Sequence, residues 1–360
     1  MNSVLHQILN MVLNGERLNF NHGIKLFQEK DILKPGKVAN AIRLRFHPDK
    51  IVTYIIDRNI NYTNVCISKC KFCAFSKDVN SKDAYFLIWD ELRDKIEETI
   101  RLGGTQILLQ GGLHPEFEIG YYESMLRKIK ATFPQIHIHG FSPPEIVHFA
   151  IKSGIEIVEV ITRLKDAGLG SIPGGGAEIL VDKIRKQLNP NKCSSSQWLE
   201  VMKVAHKLGM KTTATMMFGH IESIADRVTH LLKIRELQDE TGGFTAFIPW
   251  TYQPQNTTLG GNEVGGYEYL KTLAISRIIL DNFKNIQASW VTQGPKIGQV
   301  ALVFGANDMG STMLEENVVR AAGAQYRLTS QDIINLIKDA GFIPKQRDTF
   351  YGRVGGRLED

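Results

Sequence analysis

The sequence predicts an α/β protein built as a (βα)8 TIM-type barrel, with a helical extension before the barrel and helices after it. Three observations support this prediction. The chain has 360 residues and 43% apolar side chains, and it exceeds the roughly 250 residues of a typical barrel. Short apolar or β-branched runs alternate with amphipathic stretches of helical length. Polar or glycine-rich residues follow the strand-like runs, as they do at the catalytic face of such barrels.

Residues 1–50 are predicted to be helical, because Leu5, Ile8 and Val12 recur at helical spacing. The runs predicted as strands are 51–57, 105–112, 136–142, 169–175, 211–220, 244–250, 286–290 and 299–307. Helix candidates such as WDELRDKIEETIRLG and SSSQWLEVMKVAHKLG lie between these runs, which indicates βαβ units and a parallel sheet. We therefore expect a helical extension over 1–50, a barrel core over 51–290, and a part over 291–360 that completes the barrel and adds helices.

The composition indicates which kinds of molecule the protein binds. The net charge is +5 and the basic residues are scattered, which disfavours a nucleic-acid-binding surface. No window of the sequence approaches the roughly 18 to 20 uncharged apolar residues that span a bilayer, and the N-terminus lacks the pattern of a signal peptide. We expect a cytoplasmic protein that acts on a small molecule, with no nucleic-acid or membrane partner. Cytosolic thiols stay reduced, so clustered cysteines are interpreted as metal ligands rather than disulfides.

Three of the four cysteines, Cys66, Cys70 and Cys73, form a CxxxCxxC pattern within eight residues. This spacing allows one loop to wrap a single inorganic centre. A structural zinc site would need a fourth Cys or His ligand, whereas a 4Fe-4S cluster held by three thiolates leaves one iron open to a substrate or cofactor. The alternative is a zinc-stapled binding module, completed by a distant ligand or by Cys193.

The cysteine motif, with Phe72 just before its third cysteine, resembles the signature of the radical S-adenosylmethionine (SAM) enzymes. The resemblance implies one 4Fe-4S cluster with three cysteine ligands, SAM on the open iron, and a 5′-deoxyadenosyl radical formed with a reductant such as flavodoxin or ferredoxin. Members usually carry a GGE-like turn after the second strand that contacts the cofactor through its backbone. Here the turn reads Gln110, Gly111, Gly112 and Leu113, so only the backbone role carries over.

Other segments are similar to one branch of these enzymes, which contains two radical enzymes of the futalosine route to menaquinone and the synthases of the deazaflavin precursor. TTATMMFGH, IPWTYQP and SWVTQGPKIGQVAL resemble the cyclic dehypoxanthinylfutalosine synthases. This resemblance implies cyclisation of dehypoxanthine futalosine by hydrogen abstraction at ribose C4′, addition to the aryl ring, and loss of one electron and one proton. Aminofutalosine synthases and deazaflavin-precursor synthases are the alternatives within the same class.

Two further residues are candidates for binding the cofactor. Glu178, in PGGGAE, resembles a position where related enzymes bind the ribose or amino group of SAM, although a glutamate that begins a helix would suit the helix dipole equally. Ser142, after IHIHGF, is interpreted either as a contact to cofactor or substrate or as a helix cap before two prolines.

The remaining candidates concern catalysis and the substrate. His220 ends a predicted strand, and with Glu222 as its partner it is the candidate base or hydrogen-bond donor. Residues after the next two strands are predicted to contact the substrate, with core packing as the alternative for the tryptophans. They are Trp250, Thr251, Gln253, Trp290, Thr292 and Gln293. The benzoate of the substrate needs a cation or hydrogen-bond donors, for which the candidate cations are Arg163, Arg235 and Arg277.

Overall fold

The computed structural model describes residues 4–354. Three helices come first: α1 (Val4–Leu13), α2 (Phe20–Gln28) and α3 (Leu33–Phe46). Leu5, Ile8 and Val12 lie buried on one face of α1, as their spacing predicted. No helix within the described residues has the length and apolar character needed to cross a membrane.

Strands and helices alternate after α3. The strands are β1 (Ile51–Ile55), β2 (Asp57–Asn61), β3 (Gln106–Gln110), β4 (His137–Gly140), β5 (Ser171–Ile172), β6 (Lys211–Phe218), β7 (Phe244–Thr251), β8 (Asn285–Ile286), β9 (Asp308–Ser311) and β10 (Ile343–Gln346). The helices are α4 (Trp89–Arg101), α5 (Ile119–Thr132), α6 (Pro143–Ser153), α7 (Ile157–Ala167), α8 (Asp182–Leu188), α9 (Ser195–Lys207), α10 (Ile224–Thr241), α11 (Gly266–Ile279), α12 (Trp290–Ala301), α13 (Val318–Ala321) and α14 (Ser330–Asp339).

The strands β2 to β8 form one parallel sheet in sequential order, and β9 continues the curled sheet. The Ala288 N–H, just after β8, donates to the Asp308 carbonyl (2.8 Å), and the Thr312 N–H, just after β9, donates to the Ile55 carbonyl (3.0 Å). A second sheet, in the order β10-β1-β9, lies beside the amino end of β2. Sequential parallel strands joined by helices confirm the predicted barrel fold.

The last predicted strand, 299–307, is wrong. Its first residues complete α12, which ends at Ala301, and the eighth barrel position is taken by β9, which begins at Asp308. A short apolar run does not by itself distinguish a strand from a buried helix segment. Gly305 then turns the chain toward β9 with φ +109°, a conformation that favours glycine.

Side chains along the strands alternate between the surrounding helices and the barrel interior. On β3, Ile107 and Leu109 are fully buried in the hydrophobic core, whereas Gln106, Leu108 and Gln110 line an internal cavity. This period of two is the geometry of a strand. Polar side chains in the barrel strands therefore converge on the interior, and the loops after those strands surround one end of it.

Candidate active site

The loop after β2 carries Cys66, Cys70 and Cys73 at the carboxyl end of the barrel strands. Its backbone is hydrogen-bonded at both ends of the motif: the Cys66 N–H donates to the Lys77 carbonyl (3.0 Å), and the Cys73 N–H donates to the Cys70 carbonyl (3.0 Å). The Leu259 N–H donates to the carbonyl of a residue inside the motif, Lys71 (2.9 Å). The three thiols are thus presented by one loop with a fixed backbone.

Burial raises the pKa of the Cys66 thiol, and it raises the pKa of Cys70 to about 11. The Lys192 ammonium offsets part of this rise in the pKa of both thiols, and its Nζ lies 5.4 Å from the centre of the Phe72 ring. A neighbouring cation favours the thiolate form, which is the form that binds metals. Among residues 4–354, no three His, Cys, Asp or Glu side chains converge on one point as ligands of a single metal ion.

The glycine turn after β3 packs directly on the cysteine loop. The Gly112 N–H donates to the Thr63 carbonyl (3.0 Å). A Cβ on Gly112 would stand 2.1 Å from the carbonyl oxygen of Val65 and 2.9 Å from the Cβ of Cys66. This position therefore has no room for a side chain, and the close approach of the two backbones requires glycine.

Glu145 holds the same turn from behind, and the sequence analysis missed it. Its carboxylate accepts hydrogen bonds from the Tyr62 hydroxyl (2.7 Å), the Gly111 N–H (3.0 Å) and the Ser142 hydroxyl (2.6 Å). Ser142 is the N-cap of α6, and it forms a capping box with Glu145. The helix-cap interpretation of Ser142 is confirmed, and its contact with a ligand stays a prediction. The S-x-x-E spacing was the available sequence signal.

Glu178 does not begin a helix, because α8 starts at Asp182 and Glu178 has φ +39°. Its buried carboxylate lies 2.9 Å from Lys192 Nζ, 3.4 Å from an Arg185 nitrogen and 3.4 Å from the Asn189 amide nitrogen. Burial alone would raise the pKa of Glu178, but the two cations hold it below its ordinary value. Lys192 therefore links this carboxylate to the cysteine loop, although its sequence context gave no signal for such a role.

His220 and Glu222 are paired, as predicted. The His220 Nδ1 lies 2.9 Å from a Glu222 oxygen, and the His220 Nε2 lies 3.1 Å from the Met217 carbonyl. Burial opposes ionisation of Glu222, yet His220 and Arg227 lower its pKa to about 2. Neither residue lines the internal cavity, and both imidazole nitrogens contact protein groups. Its predicted catalytic role stays a prediction.

A cavity of about 280 Å³ lies inside the barrel, and Trp250, Trp290 and Thr292 belong to its wall. The Trp290 indole N–H donates to the Ser311 carbonyl (3.1 Å). That hydrogen bond fixes the plane of one aromatic ring of the wall. Both tryptophans therefore face the barrel interior rather than only the packing between barrel and helices.

The other predicted substrate residues, Thr251, Gln253 and Gln293, do not line the cavity but follow wall residues closely in the chain. The Gln293 amide donates to the Thr251 hydroxyl (2.8 Å), and the Gln253 amide donates to the Tyr252 carbonyl (3.2 Å). Thr251 and Gln253 are buried. The segments after β7 and β8 are thus joined to each other, and all six predicted substrate residues occupy one side of the barrel.

Comparison with known proteins places this chain in a family. A model of the radical SAM superfamily matches residues 60–234, and a model described as the CofH/MqnC C-terminal region matches residues 241–355. A cyclic dehypoxanthine futalosine synthase of Halalkalibacterium halodurans is 47% identical over 345 residues, covering 96% of this chain and 93% of that protein. The chain belongs to the radical SAM superfamily.

Two other proteins similar to this chain have names that describe different activities. A 5-amino-6-(D-ribitylamino)uracil–L-tyrosine 4-hydroxyphenyl transferase of Archaeoglobus fulgidus is 45% identical over 320 residues, covering 88% of this chain and 92% of that protein. The FeFe-hydrogenase maturase HydG of Carboxydothermus hydrogenoformans has a TM-score of 0.76 at 16% identity, covering 96% of this chain and 80% of that one. The similarity to HydG, at this low sequence identity, shows a shared fold. Family membership confirms that this radical SAM protein is an enzyme.

The superfamily implies a 4Fe-4S cluster and SAM, and the cysteine loop fits such a cluster. Soft thiolates are the ligands that iron–sulfur clusters take, and Cys66, Cys70 and Cys73 stand on one loop beside the Lys192 ammonium. Backbone hydrogen bonds to the Cys66 thiol offset part of the rise in its pKa that burial causes. The donor set and its electrostatic surroundings therefore suit an electron-accepting cluster.

The three predicted carboxylate-binding arginines lie outside the cavity wall of this radical SAM enzyme. Arg163 of α7 pairs with Glu123 of α5 (2.8 Å). Arg235 donates to the Ile279 carbonyl at the end of α11 (3.2 Å). Arg277 is fully buried and donates to the carbonyls of Gly305 and Phe283. Arg347 lines the cavity instead, where it is paired with Asp308 (3.1 Å). It follows the last strand, where the sequence analysis predicted no site.

Replacing Gly112 with alanine is expected to loosen the cysteine loop. The new methyl group would overlap the Val65 carbonyl, so the loop must shift, and cluster content after reconstitution should fall well below that of the wild type. The matched control is Gly120→Ala in α5, where an added Cβ meets nothing within 4 Å and alanine suits a helix. Equal iron and sulfide content in both variants would contradict this prediction.

Proposed function

We propose that this radical SAM enzyme cyclises dehypoxanthine futalosine to cyclic dehypoxanthinylfutalosine, a step toward menaquinone. The observation that supports this choice is the hydrogen bond from Gln293 to Thr251 (2.8 Å). It joins IPWTYQP and SWVTQG, the segments that resemble the cyclic dehypoxanthinylfutalosine synthases, beside one cavity. A protein of that name is also 47% identical over 96% of the chain.

Cys66, Cys70 and Cys73 would hold the 4Fe-4S cluster, with the Gly111–Gly112 backbone and Phe72 beside the SAM. When bound, the cluster and SAM supply a 5′-deoxyadenosyl radical. The chain itself contributes position and exclusion of water, because hydrogen abstraction depends on holding the donor carbon within van der Waals reach. The rigid contact between the glycine turn and the cysteine loop serves this purpose.

The other residues act on the cofactor and substrate through their placement. Glu178 would accept hydrogen bonds from the ribose or amino group of SAM, since Lys192 and Arg185 keep it ionised. Trp250 and Trp290 would enclose the aryl group of the substrate, for which aromatic walls provide a large apolar surface. A flavodoxin or ferredoxin is the proposed electron donor.

Anaerobic turnover with dehypoxanthine futalosine and SAM tests the proposal. We expect 5′-deoxyadenosine and a product lighter than the substrate by two hydrogens. The second candidate is the tyrosine-dependent transferase, because one such protein is 45% identical; it should be tested with 5-amino-6-(D-ribitylamino)uracil and tyrosine. Product from that pair alone, or from the substrate of the aminofutalosine synthases alone, would overturn the cyclase. A colourless protein that contains zinc would overturn the radical reaction altogether.

A further inference from the structure

Two histidines of β4 and one serine of β5 form a hydrogen-bonded row inside the barrel wall. The His139 Nδ1 lies 2.6 Å from the Ser171 hydroxyl oxygen, and the His137 Nε2 lies 2.7 Å from that same oxygen. His139 and Ser171 are directly paired in the parallel register, and His137 shares the face of His139 because strands have a period of two. One hydroxyl group therefore bridges two imidazoles.

The row leads from the cavity toward the protein surface. His139 lines the cavity, and among residues 4–354 its side chain makes one hydrogen bond, from Nδ1 to Ser171. His137 is the first residue of β4 and is partly exposed, with the ring of Phe350 5.0 Å away. The inner end of the row, at His139, thus has its Nε2 available to a molecule in the cavity. The outer end, at His137, lies at the amino end of β4, whereas the cysteine loop lies at the carboxyl end of the strands.

The two contacts to the Ser171 hydroxyl allow one set of hydrogen-bond directions that would carry a proton outward. A neutral His139 with a free Nε2 lone pair carries its proton on Nδ1, and this proton is donated to Ser171. The serine hydroxyl then donates to the His137 Nε2. Burial lowers the pKa of His139 to about 3 and that of His137 to about 4, so both rings are neutral at physiological pH.

The charged neighbours act on this row from two elements, the segment after β10 and α5. Arg347, in the segment after β10, lowers the pKa of His139. Lys130 of α5 lowers the pKa of His137, whereas Asp348 raises it. At the outer histidine, Asp348 therefore opposes the effect of Lys130.

We propose that His139 is the base that removes the proton when the aryl ring regains aromaticity, and that Ser171 and His137 pass that proton to solvent. This rests on the proposed cyclisation. The C–H bond at the attacked ring carbon breaks, and its proton goes to the His139 Nε2. One electron passes to a one-electron acceptor of the iron–sulfur or flavin class, and the remaining electrons complete the aromatic ring. The Nδ1 proton of His139 moves to Ser171 as the serine proton moves to His137.

Turnover of variants tests the base. His139→Ala should lower kcat by about 10²-fold or more, the usual contribution of a general base, with little change in KM, and added imidazole should restore part of the loss. An equal loss that imidazole does not restore would overturn the assignment, because it would indicate a packing role. Each variant is compared with wild-type protein of the same cluster content.

Two milder variants test the relay. Ser171→Ala and His137→Gln should each lower kcat by about 10-fold and lengthen the lifetime of the organic radical seen by electron paramagnetic resonance. The matched control is Ser276→Ala, which removes another buried hydroxyl, one that within residues 4–354 bonds only to the Thr272 carbonyl of α11 (2.7 Å). Wild-type kcat and radical lifetime in both relay variants would overturn the relay.

Nitrogen spectra of histidine-labelled protein separate this inference from the proposed function. We expect His139 and His137 as neutral rings protonated at Nδ1, with the His137 resonances shifted in Ser171→Ala. A His139 protonated at Nε2 would overturn the relay whatever reaction the enzyme performs. Absence of a cyclised product from the wild type would instead count against the proposed function, while the spectra would still decide the hydrogen-bonded row.

Discussion

Replacing Cys73 with alanine is expected to reduce formation of 5′-deoxyadenosine to background. A radical SAM cluster needs its protein thiolates to keep three irons in place, and the loop that carries Cys73 has a fixed backbone that cannot supply another ligand without rearranging. Cys66→Ala and Cys70→Ala should behave in the same way. The measurements are iron and sulfide content, the broad absorbance of the reconstituted protein, and 5′-deoxyadenosine after addition of a reductant.

Cys193→Ala is the matched control for the cysteine variants. The Cys193 thiol lies outside the CxxxCxxC motif and is buried against Arg185 (3.7 Å), so it does not belong to the proposed ligand set. This variant should keep wild-type cluster content and turnover. Full activity in any variant of the motif, or loss of the cluster in Cys193→Ala, would contradict the proposed ligand set.

Much of the barrel could be predicted, because its strands and helices are strongly periodic and polar residues follow the strands. The strand predicted at 286–290 overlaps β8 only at Ile286, because β8 is Asn285–Ile286 and α12 already begins at Trp290. The strand predicted at 299–307 is absent for a different reason. Its apolar residues suit a helix end as well as a strand, and only the tertiary position of β9 decides between them.

The site was predictable where chemistry depends on spacing along the chain, and it was not predictable where it depends on contacts across the fold. Three cysteines on one loop are visible in the sequence. By contrast, Lys192 reaches the cysteine loop from a segment more than a hundred residues away, and Arg347 enters the cavity wall from the far side of the barrel. The arginines chosen instead lie on helices that face outward or bury their charge on backbone carbonyls.

Glu178→Gln is expected to lower both the stability of the protein and its affinity for SAM. The substitution leaves Lys192 and Arg185 buried without their carboxylate, and removing one partner of a buried ion pair costs about 3 to 5 kcal/mol. The free energy of unfolding should be measured with denaturant, and SAM binding by equilibrium dialysis on reconstituted protein. The control is Glu123→Gln, because its partner Arg163 is 37% exposed and the substitution should therefore cost less than Glu178→Gln.

The pH dependence of this variant gives a second test. The folded protein lowers the pKa of Glu178 from its ordinary value of 4.5, so the carboxylate contributes stability above that pH and loses the contribution as the pH falls below it. The stability difference between wild type and Glu178→Gln should therefore be constant near neutrality and shrink in acid. A difference that grows in acid would mean that the cations do not stabilise this carboxylate. If Glu178→Gln lowers the stability but leaves the affinity for SAM unchanged, Glu178 has only the structural role of holding Lys192 beside the cysteine loop.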